Sequence, residues 1–244
     1  MTDGLLLLHA WPLDGRMWEP QIGALGSAIP VVAPHYPGFG GTELAGPVTT
    51  MAACADVAVS ALDANAIDRA VVCGLSMGGY VAFELWRRAR PRIAGLVLAN
   101  TRAVADAPEA AQGRRALAER LRAEGNVLAG EPPPLLAEDA PADSWSTVRE
   151  IIADQSAEAI AAAALGMAER PDSTGDLGGI DVPTLVVTST GDRLIPAEVS
   201  MEMAGAIPGA RLEVLDGPGH LTNLEAPESF SQLLREHLSA CAVF

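Results

Sequence analysis

Gly74-Leu75-Ser76-Met77-Gly78 follows an apolar run, Ala70-Val71-Val72-Cys73, and precedes a helical stretch that begins near Gly79. A serine at a sharp strand-to-helix turn sits in strained backbone with its hydroxyl exposed, and glycines two residues to either side let the flanking chains pass closely. The pentapeptide alone is weak in a chain with 24 glycines among 244 residues. Its seat between an apolar strand and a helix is what makes Ser76 a candidate nucleophile. A serine hydroxyl needs a base to take its proton at neutral pH, and imidazole has a suitable pKa. Of four histidines, His220 lies in Gly217-Pro218-Gly219-His220, directly after the strand-like Arg211 to Leu215, with two glycines freeing the backbone to aim its ring. His9 and His35 follow the first two apolar runs and precede Ser76; His237 lies beside Arg235 and Glu236 on the last helix, where a solvated surface role is expected.

A histidine base needs a carboxylate to fix its tautomer and stabilise the imidazolium. Asp192 stands just beyond Thr184-Leu185-Val186-Val187-Thr188-Ser189-Thr190-Gly191, at the carboxyl end of a buried strand, where α/β sites assemble. The chain order Ser, Asp, His is the one this architecture uses. Helix capping ahead of Pro196 is the plainer reading of Asp192. Asp181 enters that strand at its other end, Asp216 adjoins the histidine loop itself, and Leu98-Ala99 is followed by Asn100 rather than an acid. Acyl transfer also requires donors for an oxyanion. The Met77 N–H is one candidate; the Trp11 N–H, in His9-Ala10-Trp11-Pro12, is the other, with Trp11 as a core aromatic the alternative.

These residues need a scaffold. Short apolar runs at Leu5 to Leu8, Val31 to Ala33, Ala70 to Cys73, Gly95 to Ala99, Thr184 to Thr188 and Arg211 to Leu215 predict strands covered on both faces by helices. Helices are expected at Met51 to Ala64, Gly79 to Ala89, Pro196 to Ala206 and Pro227 to Leu238. The fold class is α/β, a mostly parallel sheet flanked by helices. The alternation breaks between Thr101 and about Ile180, where Glu109 to Glu124 and Ser156 to Glu169 read as helices with no strand between them and Pro132-Pro133-Pro134 forbids one continuous helix. The expected organisation is a core of residues 1–100 and 181–244 with a helical cap inserted at 101–180. Trp145 is the one aromatic in that insertion, and its Ala-rich helices predict an aliphatic pocket.

Composition narrows the function classes. A net charge of −15, with 16 Lys plus Arg in no dense run, leaves no basic field for a phosphate backbone, so nucleic acid is not an expected partner. The start, Met1-Thr2-Asp3-Gly4 and then Leu5 to Leu8, lacks the regions of a signal peptide, and no run of 18 or more apolar residues is present. The expectation is a cytoplasmic protein without membrane attachment. Cys54, Cys73 and Cys241 form no Cys-x-x-Cys pair and are expected to be reduced.

With those residues in place, the chain resembles the α/β-hydrolase superfamily, in local wording bacterial esterases and 3-oxoadipate enol-lactonase-like hydrolases. The matching stretches are Leu7 to Asp14 with Met17-Trp18, Pro37-Gly38-Phe39-Gly40-Gly41, Gly74 to Gly79, Gly191 to Pro196 and Gly219 to Glu225. The resemblance implies Ser76, Asp192 and His220 as a catalytic triad, Trp11 and Met77 as the oxyanion hole, residues near 101–180 as a cap over the acyl pocket, and no metal or organic cofactor. It implies a serine hydrolase cleaving a small-molecule ester or lactone through an acyl-enzyme. The same triad also serves acyl transfer, carbon–carbon bond hydrolysis or secondary-metabolite tailoring, and the fold also hosts binding proteins without activity. Three departures stand out. Only four residues precede Leu5, where relatives carry two further strands, which leaves an exposed edge near Val31 and the choice between monomer and homodimer open. Ala10 replaces a usual glycine, and His35 replaces a usual acid.

Overall fold

The computed structural model describes residues 2–243. Six strands, β1 (Asp3–Leu8), β2 (Val31–Val32), β3 (Arg69–Leu75), β4 (Ile93–Ala99), β5 (Thr184–Ser189) and β6 (Arg211–Leu215), form one sheet in the order β2-β1-β3-β4-β5-β6 with every pairing parallel. β4 and β5 are buried along their whole length, as is β1 from Gly4 to Leu8, which is why they read as unbroken apolar runs. β2 forms one edge, paired only with β1 and half-buried.

The helices are α1 (Glu19–Leu25), α2 (Met51–Ala64), α3 (Met77–Ala89), α4 (Pro108–Glu124), α5 (Ala142–Ala153), α6 (Ala157–Ala168), α7 (Thr174–Leu177), α8 (Ala197–Ala206), α9 (Thr222–Glu225) and α10 (Pro227–Ala240). α2 packs against α3 and α1 against α10, and the right-handed rule for parallel crossovers puts α2, α3 and α8 on one face of the sheet and α1 on the other. Start signals match the sequence: Thr50 Oγ1 accepts the Ala53 N–H at 3.1 Å to cap α2, Ser156 Oγ does the same for α6 from Ala159 at 3.1 Å, and Pro108 opens α4. α1, α5 and the four-residue α7 and α9 have no counterpart among the expected helices. α1 is a single short segment that buries Gln21 and Leu25; α5, with Ser, Thr and Asp through its first half, takes its stability from burying Val148, Ile151 and Ile152.

Between β4 and β5 the described chain holds α4, α5, α6 and α7 and no strand. α6 is an alanine helix with Ala159 to Ala164 fully buried, so α4 and the 47–50 segment approach its backbone closely. The Thr49 N–H donates to Ala162 O at 3.0 Å, and a Cβ on Gly166 would lie 1.8 Å from Thr49 O. No single helix among the described residues is long and apolar enough to cross a membrane.

Strand order reverses between β1 and β3: the chain leaves β1 toward β2 and returns past β1 to β3. That reversal opens a crevice at the carboxyl ends of the two strands. Leu8, the last residue of β1, pairs in register with Gly74, two residues ahead of Ser76.

Candidate active site

Ser76 lies between β3 and α3 with φ 56° and ψ −114°, a conformation that L side chains rarely adopt. Neighbouring strands lock the turn. The Ser76 N–H donates to Ala99 O at 2.9 Å, and Thr101 Oγ1 donates to Ser76 O at 2.7 Å. The flanking glycines are sterically required, since a Cβ on Gly74 would meet Gly78 O at 2.2 Å and one on Gly78 would meet Leu8 O at 2.1 Å. The second contact seats α3 on the end of β1 and brings the His9–Pro12 loop beside Ser76.

His220 follows β6, and its Nδ1 lies 2.8 Å from Asp192 Oδ2, both side chains buried. Asp192 Oδ1 accepts the Leu194 and Ile195 N–H groups at 2.8 and 3.0 Å, and Oδ2 also accepts Asn100 Nδ2 at 2.9 Å. Burial works against ionisation of Asp192, but the His220 hydrogen bond and charge, then the Ile195 and Asn100 donors, outweigh it and hold the carboxyl below its ordinary value. An ionised carboxylate only accepts, so Nδ1 of His220 carries the hydrogen and Nε2 is left to take a proton. Asp192 thus both caps a turn and holds the histidine, one oxygen for each task.

Ser76 and His220 line one cavity of about 140 Å³ together with Trp11. The Trp11 indole donates to Ile160 O of α6 at 3.0 Å, tying the β1 loop to the helical layer. Met77 opens α3, and the N–H of a first helical residue has no intrahelical acceptor. The cavity has the aliphatic lining expected of the pocket in Leu135, Leu194, Ile195 and Met167, but none of it comes from alanine, and Arg102 and Arg114 also stand in its wall. The alanines of α6 are spent instead on close helix packing.

The other histidines are accounted for. His9 is fully buried, with Nδ1 3.1 Å from Ala10 O and Nε2 accepting the Tyr36 N–H at 3.2 Å, so neither nitrogen is available; burial lowers its pKa to about 4. His35 accepts the Gly15 N–H at 3.1 Å and lines a separate surface depression with Arg16 and Gln155. His237 is not on the surface: it is buried against β4 and the chain entering β5, and burial lowers its pKa to about 4. The charged neighbours Arg235 and Glu236 misled because α10 turns position 237 inward. Among the competing acids, Asp216 accepts the Thr190 hydroxyl at 2.9 Å and Asp181 pairs with Arg90, both at the surface. All three cysteines are free. No group of three or more His, Cys, Asp or Glu among the described residues is placed to hold a metal ion.

Three residues that the sequence left without a role hold this arrangement. Asn100, at φ 43°, donates to Asp192 and to Ser189 Oγ at 3.0 Å and accepts the Thr222 hydroxyl at 2.9 Å. Thr101 anchors the serine turn. Glu225 accepts the Gly219 N–H at 2.8 Å and the Ala137 N–H at 2.9 Å, fixing the histidine loop to the segment between α4 and α5; burial raises its pKa above the usual value, with those two donors opposing. The one signal for Asn100 was its place after a central strand. Asn100→Ala removes three buried hydrogen bonds and is expected to cost about 3 kcal/mol, a fall of roughly 6–12 °C in melting temperature, measurable by thermal denaturation.

A model of the alpha/beta hydrolase family matches residues 5–233. The chain is 29% identical to a pimeloyl-acyl-carrier-protein methyl ester esterase of Aromatoleum aromaticum over 95% of this chain and 96% of the relative. Among solved structures, a thermophilic esterase from Thermogutta terrifontis superposes with a TM-score of 0.93 at 40% identity, over 99% of this chain and 90% of that one. The enol-lactonase from Burkholderia xenovorans gives 0.86 at 28% identity, over 98% and 92%. On the family match, which covers nearly the whole chain from β1 into α10, this protein belongs to the alpha/beta hydrolase family.

Proposed function

We propose that the protein hydrolyses a small carboxylic ester or lactone through an acyl-enzyme on Ser76. Ser76 Oγ attacks the carbonyl while His220 Nε2 takes its proton. Asp192 holds the imidazole in the tautomer that can do so and stabilises the imidazolium. The N–H groups of Trp11 and Met77, at the ends of the adjacent strands β1 and β3, receive the oxyanion. Collapse expels the alcohol with a proton from His220, and water activated by the same nitrogen then frees the acid. The helical layer of residues 101–180 serves as the cap over the acyl group, linked to the oxyanion loop through Trp11 and Ile160. The observation that carries this reading is the strained Ser76 turn opening into the same cavity as a histidine whose other nitrogen is held by an ionised, fourfold hydrogen-bonded aspartate. Similarity to esterases and an enol-lactonase supports the substrate class.

A chain-length series of p-nitrophenyl esters and small lactones, with fluorophosphonate labelling of the serine, tests it. Turnover that falls with acyl length is expected, because about 140 Å³ is well below the ~300–1,000 Å³ of drug-sized pockets. A protein that neither turns over nor labels would overturn the reading.

A further inference from the structure

Arg102 and Arg114 enter the Ser76 cavity from different elements, one just beyond β4 and the other in α4, and no acidic side chain is among the residues that line it. Behind them lies Asp106, its side chain fully buried, which accepts Arg102 Nη2 at 2.9 Å, Arg114 Nε at 2.5 Å and Arg170 Nη1 at 3.0 Å. Burial opposes ionisation of Asp106, yet Arg114 and Arg170 outweigh it and hold its carboxyl below the ordinary value. A guanidinium is always charged. Three of them around one buried carboxylate leave net positive charge at this wall. Asp172, the other acid whose charge reaches Arg170, is exposed and already accepts the Ala105 N–H and the Thr174 hydroxyl.

That excess runs against the rest of the molecule. The chain has a net charge of −15 and all of its basic residues are arginine. Elsewhere many arginines have an acid of their own, as in Arg88 with Asp56, Arg92 with Asp63, and Arg211 with both Glu213 and Glu236. Pinning β4 to the helical layer through Asp106 would need one arginine, and desolvating more without a counter-charge is costly. The donors are also underused. Among the described residues Arg114 spends only Nε and Arg102 only Nη2, while Arg102 Nε is buried without an acceptor. The terminal nitrogens of Arg114 form a planar fork of the kind that grips a carboxylate through two hydrogen bonds.

We infer that this wall is an anion subsite and that the substrate class is short esters or lactones bearing a free carboxylate, such as half-esters of small dicarboxylic acids. The inference rests on Ser76 being the nucleophile of an ester hydrolase. Hydrolysis of such a half-ester breaks the acyl C–O bond, with water supplying the oxygen and hydrogens, and yields a dicarboxylate and an alcohol. The carboxylate partner of Arg114 stays in place throughout and orients the acyl chain.

The test is an NMR titration of the Ser76→Ala protein, which keeps the cavity, with monomethyl glutarate and with its neutral counterpart dimethyl glutarate. The half-ester is expected to bind about tenfold or more tighter, the range of a charge-assisted pair. The advantage should shrink when salt is raised to about 0.5 M. In the same background Arg114→Gln should bring the two within about twofold, and Arg114→Lys should keep part of the difference. Should Arg114→Gln not fold, the salt series and Arg114→Lys decide. Equal binding, or preference for the diester, overturns the subsite. Fluorophosphonate labelling of the parent reports separately on Ser76: a labelled parent without the preference sinks the anion subsite alone, and an unlabelled parent with it sinks the serine reading alone.

Discussion

Ser76→Ala is expected to lower kcat/KM on a small aryl ester by about 10⁴-fold or more, because Ser76 carries the one aliphatic hydroxyl among the residues that line the cavity. The fold should not suffer. Alanine keeps the same backbone demand at φ 56° and removes only an oxygen, so the melting temperature stays within a degree or two of the parent. Ser76→Gly separates strain from chemistry. It is equally inactive, but glycine occupies this conformation without the Cβ penalty, and stability rises by about 1 kcal/mol, roughly 2–4 °C. Kinetics with p-nitrophenyl acetate and thermal denaturation of the three proteins measure both effects. An alanine variant with parental turnover would remove Ser76 from the mechanism; a glycine variant less stable than the parent would show that the turn stores no strain.

Asp192→Asn should be nearly as damaging, about 10⁴-fold in kcat at neutral pH. The carboxylate accepts four donors, two on each oxygen, and an amide supplies only one oxygen. If that oxygen faces the Leu194 and Ile195 N–H groups, the amide NH₂ meets Asn100 and His220, and His220 relieves the clash by moving its hydrogen to Nε2, the nitrogen that takes the serine proton in the proposed reaction. If the amide turns over, two backbone donors lose their acceptor. Stability responds to pH with a definite sign. The carboxyl of Asp192 is held below its ordinary value, so its contribution is fully present above the unfolded pKa of about 3.9 and is lost as pH falls through the lower folded value. Parent and Asn variant should therefore differ most in melting temperature at neutral pH and converge below about pH 4. A constant difference across that range would mean that Asp192 is not held ionised by its partners.

Both predictions depend on residues far apart in the chain, which bears on what could be read from sequence. The four central strands β1, β3, β4 and β5 were legible because a strand covered on both faces is apolar along its buried length, whereas the edge strands β2 and β6 are only partly covered and β6 carries Arg211 and Glu213; a leading Pro227 marks where α10 starts. Ser76, Asp192 and His220 stood out as candidates because each follows a strand within a few residues in a locally recognisable turn, and parallel strands deliver such turns to one edge of the sheet. Those signals are local, and sequence order preserves them.

What only the tertiary structure decided is how residues without local signals meet. Asn100 looked like the absence of an acid; packing of β4 between β3 and β5 makes it the donor that orients Asp192. Glu225 gains its role from a loop 88 positions away. His237, flanked by charges, is buried because the face of α10 it occupies turns inward, a matter of helical phase against the sheet rather than of neighbours in the chain. The same holds for charge. Net composition marks this protein as acidic, yet the cavity beside Ser76 is cationic, since Arg102, Arg114 and Arg170 converge on Asp106 only when α4 and the end of α6 fold back over β4. Composition sums charges over the chain, whereas a site feels only those within a few ångströms, and which charges those are is fixed by the fold.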